Sequence, residues 1–128
     1  MSDDPVFLTA EQVEAFHQRA LELYGGSDGL RDRPLFEGAV DQAQNVYWYG
    51  HGDLFDVAAA YAFHIAQAQA FLDGNKRTAV AAALTFLKLN GVNTRVELTM
   101  PLYNALIEVA ERRLDREGLA KRLRELLS

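Results

Sequence analysis

Leu54-Phe55-Asp56-Val57-Ala58-Ala59-Ala60-Tyr61-Ala62-Phe63-His64-Ile65-Ala66-Gln67-Ala68-Gln69 is rich in alanine and apolar on nearly every side. A helix with one apolar stripe lies on a core, whereas one that is apolar all round is enclosed by other helices. Asp53, immediately ahead, suits an N-cap. The spacing therefore predicts a helix from Leu54 to about Gln69 at the centre of a helical bundle. Its most apolar part, Val57 to Ala70, is interrupted by His64, Gln67 and Gln69, so it reads as a core helix rather than a membrane span.

Outward from this segment the pattern stays helical. Phe71-Leu72-Asp73-Gly74 is a tight connection, and Asn75 to Leu89 reads as a further helix stopped by Asn90-Gly91, a C-terminal signal. Upstream, Thr9 opens a capping-box pattern. Val13, Phe16, Ala20 and Leu23 then recur at helical spacing until Gly25-Gly26. Pro34 suits a first helical turn, and a second helix is expected from there to about Val46, with Leu35, Phe36 and Ala39 facing the core. Tyr47-Trp48-Tyr49-Gly50-His51-Gly52 is aromatic and glycine-punctuated, as in an extended flap. Thr94 to Leu98 alternates like a short strand. Thr99 and Pro101 begin a fifth helix, and Asp115 caps a last one ending near Leu127. The expected fold class is all-α: residues 1–128 form one domain, a bundle around a central apolar helix with a short flap and one short strand.

Composition narrows the function classes. The chain has 128 residues, 49% hydrophobic and 24% charged, which suits a globular domain and not a disordered one. A net charge of -5 with scattered Lys and Arg argues against a nucleic-acid partner, which needs a concentrated basic face. The small cluster Lys121, Arg122 and Arg124 reads as a solvated helix face. With no cysteine there is no disulfide framework or thiolate site, compatible with a cytoplasmic location. Met1-Ser2-Asp3-Asp4-Pro5 lacks the basic and apolar regions of a signal peptide.

The chemistry concentrates at Asp73-Gly74-Asn75-Lys76-Arg77. A helix N-terminus offers unpaired N–H groups and partial positive charge, so a glycine turn feeding a helix that opens Asn-Lys-Arg suits a phosphate. Asp73 is placed to hold a magnesium ion bridging phosphate oxygens. This is not a Walker A loop, because Gln69 stands where its first glycine would be. On composition alone an Asp-Gly turn with two solvated cations remains an alternative.

Phe71 to Ala79, preceded by the apolar helix and followed by Ala82-Ala83-Leu84-Thr85-Phe86-Leu87-Lys88-Leu89-Asn90-Gly91, resembles the signature region of the Doc (death-on-curing) branch of the Fic/Doc family. The likeness extends to Asp53-Leu54-Phe55-Asp56-Val57, Tyr24-Gly25-Gly26 and Phe7-Leu8-Thr9. The family motif reads His-x-Phe-x-(Asp/Glu)-(Gly/Ala)-Asn-(Gly/Lys)-Arg, and Phe71, Asp73, Gly74, Asn75, Lys76 and Arg77 fall on its positions. The resemblance implies a Fido-type helical fold. It also implies a role for each residue: Asp73 helps hold magnesium, Gly74, Asn75 and Lys76 take part in gripping the phosphates of ATP, Arg77 neutralises transition-state charge, and Phe71 anchors the loop.

Lysine at 76, with valine rather than a second arginine at 80, is similar to the Doc branch and not to the adenylylating Fic branch. The implied reaction is transfer of the ATP γ-phosphoryl group to a protein hydroxyl, with elongation factor Tu as target. The implied partner is a toxin–antitoxin one, an antitoxin whose C-terminal segment folds into a groove. A Fic-type adenylyltransferase and a catalytically dead nucleotide- or antitoxin-binding module are the alternatives.

One position departs from the motif. The family histidine, the implied base for the attacking hydroxyl, should stand two residues before Phe71, where this chain has Gln69. An amide does not titrate near neutral pH, so turnover is expected to be absent or lowered by about 10²–10⁴-fold. No other histidine is well placed. His64 lies five residues earlier, about 140° round the helix, and reads as a buried residue with one satisfied hydrogen bond. His17 reads as a surface or boundary residue, and His51 in the aromatic loop is the only other candidate to approach a substrate. No histidine pair has metal-ligand spacing, and no zinc or iron site is expected. Ala70, where many relatives carry proline, is a second departure.

Overall fold

In the computed structural model, which describes residues 3–127, the chain forms six α-helices: α1 (Ala10–Tyr24), α2 (Arg33–Trp48), α3 (Leu54–Ala68), α4 (Asn75–Leu89), α5 (Thr99–Ala110) and α6 (Arg116–Leu126). Met1 and Ser2, part of the reading against a signal peptide, lie outside the described residues. The all-α expectation holds. Helix α3 is the hub: Val57 to Ala62 are fully enclosed, and α2, α4, α5 and α6 all pack on it. Its alanines keep the neighbouring helices close, while Tyr61 and Ile65 fill the core with Phe36, Phe86, Leu102, Leu106 and Leu119.

Capping chemistry fixes the helix starts. Thr9 and Gln12 exchange hydrogen bonds in a capping box ahead of α1, Asp53 and Asp56 do so ahead of α3, and Asp32 and Asp115 cap α2 and α6. The N-terminal segment is held by two anchors, one buried and one exposed. The Leu8 N–H donates to the Tyr61 hydroxyl at 2.8 Å, and the Asn90 side chain brackets Val6 through both its N–H and its C=O.

Four expectations need correction. The aromatic flap does not form, because Tyr47 and Trp48 complete α2. Tyr47 packs edge-on to Phe7 at 5.9 Å and its hydroxyl donates to Asp4 at 2.9 Å. The glycines that suggested a flap only end the helix, with Gly52 donating back to Val46. The Thr94–Leu98 strand is also absent: Val96–Leu98 is a 3-10 turn into α5, and with no strand to pair with among the described residues, Val96 stays 81% exposed.

Leu35 does not join Phe36 and Ala39 in the core. It is exposed, and Val40 and Ala43 complete that face instead. Finally, the basic cluster of α6 is not merely solvated. Arg122 pairs with Glu108 at 2.9 Å, and Arg124 pairs with Asp53 at 2.9 Å and Asp56 at 3.0 Å, tying α6 to α5 and α3. Among the described residues no helix is long and apolar enough to cross a membrane.

Candidate active site at the α3–α4 turn

Helix α3 stops at Ala68, and Gln69 adopts the left-handed conformation (φ 47°, ψ 43°) that turns the chain. A residue with a Cβ is disfavoured there, so outside contacts must hold it, and Arg31 supplies them. Its guanidinium donates to the Gln69 carbonyl at 2.9 Å and reaches the Phe71 carbonyl at 3.4 Å. The Arg31 amide donates to Ala70 and the Leu72 amide to Gly29, making a one-rung antiparallel bridge between Leu30 and Phe71. The turn is thus laced to residues 26–31. Gly26 and Gly29 allow that approach, since a Cβ on Gly29 would lie 2.6 Å from Leu72.

Beneath the turn sits a stack that the sequence did not reveal. Phe71 is buried, its ring 3.7 Å from the His17 ring and nearly parallel to it, with Phe36 edge-on at 5.0 Å. His17 Nε2 lies 2.8 Å from the Asp73 carbonyl oxygen. A carbonyl only accepts, so Nε2 carries the hydrogen. His17 is therefore a 1% exposed support of the turn, not a surface residue. The periodicity held the signal, because Val13, His17 and Ala20 share one face of α1.

Asn75 uses both ends of its amide on the turn, accepting from the Phe71 N–H at 3.1 Å and donating to the Phe71 carbonyl at 3.0 Å. Asp73 accepts the Ser27 amide at 2.7 Å through Oδ2. Gly74 caps α4 with φ 81° and contributes no side-chain acceptor, so among the described residues no side-chain cap hydrogen bond is made at the amide-rich start of α4. Arg77 lies over the Tyr24 ring at 3.7 Å and near Tyr103 at 4.8 Å. The two rings hold its guanidinium in place by cation–π attraction without neutralising it.

These groups converge. Gln69, Asp73, Gly74, Asn75, Lys76 and Arg77 together line a cavity of about 380 Å³, walled by Tyr24, Gly26 and Tyr103. Its single carboxylate faces two cations and the start of a helix, an arrangement suited to an anion with a divalent cation bound alongside. Among the described residues no group of three or more metal-ligating side chains exists.

The other histidines lie elsewhere. His51 lines a separate cavity of about 470 Å³ between the end of α2 and the start of α6, roughly 20 Å away along α3. His64 Nε2 is buried without a hydrogen-bond partner among the described residues, and burial, then nearby Arg116, hold its pKa below the usual imidazole range.

Residues 7–87 match the Fic/Doc family. This chain belongs to the Fic/Doc family. Within it the likeness is to Doc proteins. The chain is 37% identical over 86 residues to "Protein kinase doc" of Escherichia phage P1, covering 66% of this chain and 68% of that one. It is 39% identical over 104 residues to "Toxin Doc" of Mycolicibacterium smegmatis, covering 78% of this chain and 79% of that one. The family match ends at Leu87, before α5, and in this Fic/Doc member α5 supplies Tyr103, the second ring beside Arg77.

Proposed function

We propose that this chain is a Doc-type toxin kinase scaffold that binds Mg-ATP at the Gly74–Arg77 turn, and whose phosphoryl transfer is attenuated because Gln69 replaces the base. The observation that carries the reading is the convergence of Gln69, Asp73, Lys76 and Arg77 on one cavity at the start of α4. Residues 1–128 act as one domain in this reading, supported by a core that draws on all six helices.

Each residue then has a task. The α4 amides and Lys76 bind phosphate oxygens, and Arg77, held between Tyr24 and Tyr103, balances charge that builds during transfer. Asp73 would hold magnesium, which supplies further neutralisation of the phosphates when bound. Phe71, Asn75 and His17 position the turn from below. Gln69 orients a hydroxyl by hydrogen bonding without taking its proton.

Lys76 favours γ-phosphoryl transfer over nucleotidyl transfer, because its side chain occupies volume that a glycine would leave open. Val80 supplies no second cation to the cavity, and lines instead an apolar groove between α1, α4 and α5 with Phe16, Leu23 and Leu84. That groove is the surface this reading assigns to the C-terminal segment of an antitoxin. Elongation factor Tu in the cytoplasm is the assigned target. Gln69 itself favours a second reading, a binding module that keeps nucleotide and antitoxin sites without turnover.

Calorimetric titration with Mg-ATP tests the site. Binding is expected in the unsubstituted protein, with Arg77→Ala weakening it by roughly tenfold or more, as for loss of one charge-assisted contact. No heat of binding in the unsubstituted protein would remove the assignment.

A further inference from the structure

Beside the cavity at the turn, and sharing Ala66, Gln69 and Lys76 with it as lining, lies a smaller recess of about 170 Å³ lined also by the end of α5. Gln67, Gln69, Lys76 and Arg112 are its polar lining, and no carboxylate faces it. Arg112 is the unexpected member. It lies beyond the match to the family, which ends at residue 87.

Arg112 stands at the position just past the α5 C-cap with φ 61°, in the left-handed region. The Arg112 amide donates to Val109 at 3.0 Å and the Arg113 amide to Glu108 at 2.9 Å, the paired bonds of a Schellman ending. Glycine is the usual residue there, because a Cβ is unfavourable at positive φ. The neighbouring arginines are engaged in ion pairs, Arg113 with Glu111 and Arg122 with Glu108. Arg112 forms no ion pair among the described residues. A cation at a helix C-terminus does favour the helix dipole, but Arg113, one residue on, serves that purpose without a strained backbone.

We infer that Arg112 is a further phosphate-binding residue of the nucleotide site, reaching the phosphate end of the ligand from the end of α5. The inference rests on the nucleotide reading above. Arg112, exposed to solvent, lines the recess with Lys76, and the two together present two positive charges to a polyphosphate. The flanking amides of Gln67 and Gln69 offer donors that add no charge.

The test is titration of the unsubstituted protein, Arg112→Ala, Arg112→Gly and Arg113→Ala with Mg-ATP and with adenosine, together with their melting temperatures. Arg112→Ala should weaken Mg-ATP binding by roughly tenfold and leave adenosine binding unchanged, while Arg113→Ala should match the unsubstituted protein. Arg112→Gly should weaken Mg-ATP equally while raising the melting temperature, since glycine relieves the backbone. This combination excludes misfolding as the cause. Mg-ATP affinity within twofold of the unsubstituted protein in both Arg112 variants, with Arg77→Ala still impaired, would overturn the role of Arg112 and leave the site standing. Absence of Mg-ATP binding in the unsubstituted protein would overturn both.

Discussion

At the residue scale, Asn75 is more tightly committed than its position in the motif suggests. Both polar atoms of its amide serve Phe71, so its first task is to hold the turn on which the phosphate groups depend. Asn75→Ala is expected to destabilise the fold by about 1–3 kcal/mol, because the Phe71 N–H loses its partner and the Phe71 C=O keeps only the longer contact from Arg31, and to weaken Mg-ATP binding as a consequence. Denaturant melts and calorimetry on one preparation check this. Lost affinity at unchanged stability would instead mean that Asn75 contacts the nucleotide directly.

Phe71, Asp73, Gly74, Asn75, Lys76 and Arg77 were legible as a site because they are consecutive and their chemistry is shared. The supports of the turn were not. His17, Ser27 and Arg31 reach it from 38 to 56 residues away in sequence, and pairings at that separation leave no local pattern. Tyr24 and Tyr103 are ordinary helix residues until the fold sets them on Arg77.

At the element scale, the helices with strong caps and period were legible, and the flap and strand readings failed because each was decided by contacts distant in sequence. Tyr47 and Trp48 carry no turn chemistry of their own, and packing of the N-terminal segment with its Phe7 against them favours helix over the loop that the glycines suggested. Thr94–Leu98 alternates, but alternation makes a strand only where another strand pairs with it. The N-terminal segment itself depends on α3 through one buried bond. Tyr61 is fully enclosed, burial pushes its pKa up to about 12, and its hydroxyl accepts from Leu8. Tyr61→Phe should cost about 1–3 kcal/mol, the penalty for a buried N–H left unpaired, read as a lower urea midpoint with an unchanged slope. An unchanged midpoint would show that water or a rearranged segment satisfies Leu8.

Across the whole molecule, the enclosure of α3 that makes the bundle also places His64 where its charged form is disfavoured. Its folded pKa lies below the unfolded value of about 6.5, so the unfolded chain binds more protons as pH falls below that value, and folded stability declines. The melting temperature should therefore drop between pH 7.5 and pH 5.5, above the range where Asp53, Glu14 and Glu108 titrate. His64→Gln should flatten that slope. Equal slopes would assign the pH dependence to other groups.

The site joins the ends of α3, α4 and α5 with the loop after α1, and its account turns on Gln69. Its carbonyl is fixed by Arg31 and its side chain lines the cavity, so a histidine there meets a turn already in place. The decisive measurement is incubation of Gln69→His and the unsubstituted protein with elongation factor Tu and ATP labelled at either the α- or the γ-phosphate. Gln69→His should transfer the γ label, at about 10²–10⁴ times the rate of the unsubstituted protein, and retain no α label. Transfer of the α label would contradict the kinase reading, and an inert Gln69→His protein would mean that Gln69 is not what holds the activity down.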